Sequence, residues 1–326
     1  MSRPYFLTGA LGCIGAWVVE RLLARGDQPV VFDLGGDPRR IRDLVGDEGL
    51  ARVRFVQGDI TDLGSVKQAL SDSGAKRVVH LAGMQVPFCK ADPPKGARVN
   101  VLGTVHVFQA ASELGCERVV YASSAAVYGP EDSAEGGTAP HEGTVGHPTT
   151  HYGVYKQANE GNARVYWSDS KLSSVGLRPL TVYGVGRDQG MTSDPTRAMK
   201  AAVVDRPFKI RFSGSTDFLW GHDCAEAFLA AADRAPAGAH VFNLHGETVQ
   251  VARVIELAAA IEPRVRELVK IDGPHLPIPP EIDGAALAAA LPGLKRTPLE
   301  VGVRETIDHF RRLRDEGRLD TRELDA

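Results

Sequence analysis

Tyr152 and Lys156 stand four residues apart in a stretch, Tyr152 to Lys171, whose pattern reads as a helix. That spacing puts the phenol and the ammonium one turn apart on one face. A neighbouring ammonium favours the phenolate and draws a tyrosine pKa towards neutrality. Such a phenol takes the proton of an alcohol while the alcohol's carbon gives up a hydride. Ser124 lies in the small-residue run Ala122-Ser123-Ser124-Ala125-Ala126-Val127-Tyr128-Gly129. Its hydroxyl is suited to hold the substrate oxygen and to share in the proton movement. Ser124, Tyr152 and Lys156 are therefore the candidate catalytic residues. The chemistry is alcohol oxidation or its reverse, and it needs a hydride acceptor bound nearby.

The segment that would hold that acceptor is Thr8-Gly9-Ala10-Leu11-Gly12-Cys13-Ile14-Gly15, between the apolar run Tyr5–Leu7 and a helical pattern through Ile14, Val18, Leu22 and Leu23. Gly9 permits the tight turn, Gly12 lets a phosphate approach the backbone, and Gly15 lets the helix pack close to the sheet. A pyrophosphate would then rest on the free N–H groups at the helix start, around Cys13 and Ile14. A second strand, Gln28 to Asp33, ends in an acid 18 residues after Gly15. A carboxylate there binds a ribose 2′-hydroxyl and repels a 2′-phosphate, so NAD is expected rather than NADP. Arg39 and Arg40, which follow a turn, pull the other way.

The remaining strands are expected at Val53–Gln57, Arg77–Leu81, Cys116–Ala122 and Ser174–Val182, alternating with helices. Asp59 and Ile60 follow the third strand, and Leu81, Ala82 and Gly83 end the fourth, where ligands bind in open α/β sheets. Asp62 reads as the N-cap of a helix through Leu70. His80 reads as a packed core histidine. Gly96 to Leu114 is expected to be one long apolar helix, buried or used for dimer packing. Pro130 to Thr150, rich in Gly, Pro, Ser, Thr, Glu and His, reads as a surface loop or lid. The fold class is thus α/β, a doubly wound parallel Rossmann sheet over residues 1–180. Residues 181–326 form mostly a smaller C-terminal substrate-binding lobe, with some segments returning to the sheet.

Composition excludes several other classes. The chain has 326 residues, a net charge of −3 and no block of like charge, so neither nucleic acid nor a membrane surface is an expected partner. Four scattered cysteines lack metal-ligand spacing, no metal is expected, and they read as reduced thiols. The first strand starts too early to leave room for a signal peptide, and no apolar run approaches the ~20 residues of a spanning helix. A cytoplasmic enzyme is expected.

The chain resembles the extended short-chain dehydrogenase/reductase family, also called NAD-dependent epimerase/dehydratases. The resemblance rests on Thr8 to Gly15, Asp33, Asp59-Ile60, His80 to Gly83, Asn100 in Asn-Val-Leu-Gly-Thr, Ser123 to Gly129, Tyr152-x-x-x-Lys156, Arg178-Pro179, Val182-Tyr183-Gly184 and Asp217-Phe218. It implies that Gly9, Gly12, Gly15, Asp33, Asp59, Ile60, Asn100, Tyr152, Lys156 and Pro179 contact NAD, and that Ser124 and Tyr152 are catalytic. It also implies a homodimer in which Gly96–Leu114 and Tyr152–Lys171 pair as a four-helix bundle.

Departures from the family pattern narrow the substrate. Sugar-nucleotide dehydratases carry an Asp-Glu pair after the catalytic hydroxyl, where this chain has Ala125-Ala126. UDP-galactose 4-epimerases usually have an asparagine after the sixth strand and an arginine before Asp-Phe/Tyr, both serving the diphosphate. Thr181 and Thr216 stand at those positions. Losing that arginine removes a strong charge-assisted contact. The substrate is therefore expected to be a small carbohydrate-like molecule without a nucleotide: a polyol, sugar or sugar acid. Gln85, Ser124, Ala125, Thr181, Arg187 and Arg211, with Trp220, are the expected pocket residues. NAD-linked dehydrogenation is the expected reaction, with epimerisation by transient oxidation as the alternative. A non-catalytic NAD sensor or scaffold would show a broken Ser/Tyr/Lys set, and here the set is intact.

Overall fold

The computed structural model describes residues 2–132 and 139–325. In chain order its first half reads β1 (Pro4–Thr8), α1 (Cys13–Ala24), β2 (Gln28–Asp33), α2 (Arg39–Leu50), β3 (Arg54–Gln57), α3 (Leu63–Ser73), β4 (Arg77–His80), α4 (Val86–Ala91), α5 (Pro93–Ala97), α6 (Gly103–Glu113), β5 (Arg118–Ala122), α7 (His151–Ser170) and β6 (Ser173–Pro179). The second half holds β7 (Thr181–Tyr183), α8 (Asp194–Val203), β8 (Phe208–Ile210), β9 (Ser215–Trp220), α9 (Gly221–Arg234), β10 (Ala239–Leu244), β11 (Glu247–Gln250), α10 (Val251–Ile261), α11 (Val265–Leu268), β12 (Val269–Ile271), α12 (Ala285–Ala290) and α13 (Leu299–Asp315).

The main sheet runs β10-β6-β5-β4-β1-β2-β3, every pairing parallel. Parallel strands joined by helices are covered on both faces, which is why β1 and β2 are apolar and buried through their middles, whereas β3, at the sheet edge, is largely exposed. Alternation still decides the face. Tyr5 and Leu7 of β1 enter one core with Trp17, Val18 and Leu22 of α1, while Phe6 enters the other with Val66, Leu70 and Phe108. The chain reverses direction across the sheet between β1 and β4, which opens a crevice at their carboxyl ends.

Two expected elements differ in ways that bear on the site, and one helix forms where none is expected. The apolar stretch 174–182 is not one strand. Pro179 ends β6, and β7 leaves the main sheet to pair with β9, which itself pairs with β11. The chain after β6 then lines the crevice with Leu180, Val182 and Arg187. The expected helix 96–114 is interrupted by a π-helical turn, Arg98–Leu102, between α5 and α6. A π turn re-aims the side chains within a helix, and here Asn100 lies inside it, 1% exposed. The run at 39–50 forms α2 although nothing in its pattern announced a helix. Asp62 does cap α3, accepting from the amides of Gly64 and Ser65. Of the expected lid, 133–138 lie outside the described residues.

Candidate active site

The glycine turn is built as its spacing requires. Gly9 has φ +70, and a Cβ there would stand 2.4 Å from the Ala82 amide nitrogen, so β1 and the end of β4 touch backbone to backbone. A Cβ on Gly15 would meet the Cα of Ala10 at 2.3 Å, which fixes α1 against the turn. No side chain caps the start of α1. The Cys13, Ile14 and Gly15 amides therefore lack intrahelical acceptors, and all three residues line a cleft of about 770 Å³. A pyrophosphate fits that arrangement, because N–H groups at a helix start present positive potential.

Asp33, Asp59, Ile60, Leu81, Ala82 and Gly83 line the same cleft. Asp33 accepts from the Leu11 amide at 3.3 Å and from the Leu34 amide at 2.9 Å, and burial raises its pKa from the ordinary carboxylate value. Arg40 and Arg39 are both paired with Asp188, at 2.7 and 2.8 Å.

Asn100 does not line the cleft directly. Its amide donates to the Met84 carbonyl at 2.9 Å and accepts from the Met84 amide at 2.6 Å, so it pins the backbone after Gly83. His80 is a core histidine, bonded to Thr8 (2.6 Å) and Thr104 (2.9 Å). Burial, then the charge of Lys156, pushes its pKa down to about 3, so the ring is neutral.

Ser124, Tyr152 and Lys156 all line the cleft with Pro179 and Ala125. Thr150 caps α7 by accepting from the Gly153 amide, which sets the turn that carries Tyr152. The Tyr152 pKa is raised by burial, against which a hydrogen bond from Ser124 and the charge of Arg187 pull it down. The expected net acidification is thus absent in the chain by itself: desolvating a phenolate outweighs both. Lys156 Nζ lies over the Tyr152 ring, 5.3 Å from its centre, and donates to the Ala122 carbonyl at 2.6 Å. Burial lowers its pKa to about 8.

Sequence reasoning missed what holds the Ser124 strand end in place. Ser123 donates to Glu160 of α7 at 2.5 Å. Glu160 also takes both arms of the Arg178 guanidinium at 2.7 and 2.6 Å, and Arg178 reaches Tyr128 at 2.6 Å. Buried ion pairs hold their geometry when every member is hydrogen-bonded. The signal is Arg178, a charged residue within a strand buried along its whole length.

The expected pocket residues separate into two groups. Gln85 and Arg187 line the same cleft as Ser124, Tyr152 and Lys156. Arg187 donates to Thr192 at 3.0 Å, while its Nε and the Gln85 Oε1 are buried without a partner among the described residues. Thr181 and Thr216 face each other instead, Oγ to Oγ at 2.9 Å, both buried and outside the cleft lining. Arg211 is occupied by Asp194 through two nitrogens at 2.9 and 2.8 Å and lies outside the cleft lining. Trp220 stacks on His222 and is also outside it.

The sequence pattern of the NAD dependent epimerase/dehydratase family matches residues 5–245. A UDP-glucose 4-epimerase of Mycolicibacterium smegmatis is 31% identical over 71% of this chain and 74% of its own length. A D-erythronate dehydrogenase of Cupriavidus necator is 36% identical over 47% of each chain. Among solved structures, the Thermus thermophilus UDP-glucose 4-epimerase in complex with NAD superposes with a TM-score of 0.79, at 25% identity, over 94% of this chain and 99% of the other.

Proposed function

The chain belongs to the NAD-dependent epimerase/dehydratase family, the extended short-chain dehydrogenase/reductases, and on that premise we propose that it oxidises a secondary alcohol of a small sugar acid. As an enzyme of that family it uses NAD, which supplies a hydride acceptor when bound in the cleft. The glycine turn, the bare start of α1 and Asp33 fit the dinucleotide.

The chain's own residues supply the rest. Ser124 holds the substrate oxygen. Tyr152 takes the hydroxyl proton, and the Lys156 ammonium beside its ring offsets the developing negative charge. Burial strips water from these groups and so strengthens each electrostatic contact.

The observation that carries the substrate class is Arg187. Its guanidinium lines the catalytic cleft and bonds one threonine, with Nε unpartnered among the described residues. A planar fork in that state suits a carboxylate, which takes two parallel hydrogen bonds. Gln85 beside it suits an adjacent hydroxyl. The Thr181–Thr216 pair supports a substrate without a diphosphate, because it puts neither a cation nor a free amide at that place. The relative acting on D-erythronate, a sugar acid, agrees with this reading. The test is a panel of aldonic and uronic acids, neutral sugars and UDP-sugars incubated with the protein and NAD. Steady NADH formation with acids alone supports the proposal; turnover of UDP-sugars alone overturns it.

Epimerisation by transient oxidation is the second reading, favoured by the UDP-glucose 4-epimerase relatives. It requires product isomer without net NADH.

The protein is further proposed to be a cytoplasmic homodimer. Phe88 of α4, Leu102 of the π turn, and Val154 and Val165 of α7 are large apolar side chains left exposed. A patch of that kind marks an interface, and α6 with α7 would pair across it as a four-helix bundle. Val154→Asp should convert a dimeric species to a monomer in size-exclusion chromatography with light scattering; an unchanged mass in both proteins would count against it.

A further inference from the structure

The cofactor cleft holds a conflict that Asp33 alone does not resolve. Arg40 lines the cleft beside Asp33 and Leu34. Both Asp33 and Arg40 grip the same residue: the Leu11 amide donates to Asp33 Oδ2 at 3.3 Å, and the Leu11 carbonyl accepts from Arg40 Nη1 at 2.9 Å. A guanidinium so close to the ribose-binding carboxylate is the group that elsewhere accommodates a 2′-phosphate. Arg39, next to it, adds a second positive charge.

The remaining nitrogens of Arg40 go to one residue. Nε meets Asp188 Oδ1 and Oδ2 at 3.2 and 3.0 Å, and Nη2 meets Oδ1 at 2.7 Å. Arg39 joins the same carboxylate at 2.8 Å and is shared with Asp320. Asp188 is 6% exposed, so the pairing is shielded from solvent and salt. It is held in place by its loop. Gly186, at φ +84, takes the left-handed conformation that favours glycine in the turn just before Asp188, and it lies beside the Arg40 stem. Asp188 comes from the turn after β7, far in sequence from α2, and its neighbour Arg187 faces the substrate side of the cleft.

We propose that Asp188 is a specificity-determining residue for the cofactor: by engaging Arg40 and Arg39 it denies their positive charge to a 2′-phosphate, and so enforces NAD over NADP together with Asp33. Asp33 repels the phosphate directly. Asp188 removes the attraction that would offset that repulsion. The inference concerns the dinucleotide alone and stands whichever alcohol is the substrate.

Binding, not turnover, tests it. NADH and NADPH are titrated into the full chain and followed by quenching of tryptophan emission. In Asp188→Asn, of nearly the same shape, the ratio of the NADPH to the NADH dissociation constant should fall at least tenfold. Adding Arg40→Gln to that variant should restore the ratio. Asp33→Ser alone should lower the ratio through the lost repulsion, and adding Arg40→Gln to Asp33→Ser with Asp188 intact should change it less than threefold further, because an engaged Arg40 attracts no 2′-phosphate; this arm stands even where Asp188→Asn fails to fold. The proposal is overturned by an unchanged ratio in Asp188→Asn, by equal weakening of both nucleotides, or by a tenfold rise in the ratio when Arg40→Gln is added to Asp33→Ser with Asp188 intact.

Discussion

The Nζ of Lys156 stands 5.3 Å from the centre of the Tyr152 ring and 2.6 Å from the carbonyl oxygen of Ala122. One ammonium thus joins the proposed catalytic tyrosine on α7 to the strand end that carries Ser124. Its position depends on α7, whose start is fixed by the Thr150 cap, and on β5, whose end is fixed through Ser123 and Glu160.

That ammonium is costly to bury. Its pKa falls from 10.5 to about 8, which corresponds to a penalty on the order of 3 kcal/mol in the charged form. The sign follows from proton binding: between pH 8 and 10.5 the unfolded chain binds more protons, so the penalty is full below about 8 and fades as pH rises. Lys156→Met should therefore be more stable than the natural protein near pH 7, by about 1–3 kcal/mol, since apolar replacement of a buried charge is often stabilising. The difference should shrink near pH 10, and turnover should be lost. Thermal melts at the two pH values check it.

His80 sets an acid limit. Its ring is neutral in the fold, with a pKa of about 3 against an ordinary 6.5. Its depressed value means that stability is complete above pH 6.5 and is lost as pH falls through the folded value. Stability against urea should decline steeply from pH 6.5 downwards. In His80→Gln, weaker at neutral pH, that slope should be distinctly shallower. Equal slopes would remove His80 as the cause.

Asn100 acts through backbone. Its side chain satisfies both the amide and the carbonyl of Met84. Asn100→Ala strands those two groups, at a cost of about 1–3 kcal/mol. It should also raise the KM for NAD more than it lowers kcat, because the backbone it pins borders the cofactor cleft. A change confined to kcat would contradict that.

How much of this was legible in the sequence follows from how local each signal is. The glycine turn, Asp33, the Asp62 cap and the Tyr152/Lys156 spacing each depend on a few neighbouring residues: Gly9 turns at φ +70, Asp62 caps α3, and Asp33, Tyr152 and Lys156 line one cleft. The π turn at Asn100 was not legible, because its surroundings, Arg98 to Leu102, are ordinary helix residues; tertiary contact with Met84 fixes it. The split of the sixth strand had a local warning in Pro179, but β7's partner, β9, lies more than thirty residues on. Arg211, an expected pocket residue, is held elsewhere. Its actual partner, Asp194, begins α8, and no spacing rule links the two. Arg39 and Arg40 were visible as cations near the ribose site, while Asp188, which holds both, was not.

Arg187 gives the sharpest prediction on substrate. Arg187→Lys keeps the charge but loses the fork, so KM for a sugar acid should rise about tenfold, in line with one lost charge-assisted contact. Neutral polyols should be unaffected by the change. An equal effect on acids and neutral substrates would show that Arg187 supports the loop instead of the carboxylate.

The central claim is that the Tyr152 phenol moves the proton, and the variant Tyr152→Phe tests it most directly. NADH binding, read by quenching of tryptophan emission, should stay within threefold of the natural protein. Oxidation of the best sugar acid should fall by roughly 10²–10⁴-fold, the usual contribution of a positioned acid–base group. Undiminished turnover with the cofactor still bound would contradict the account.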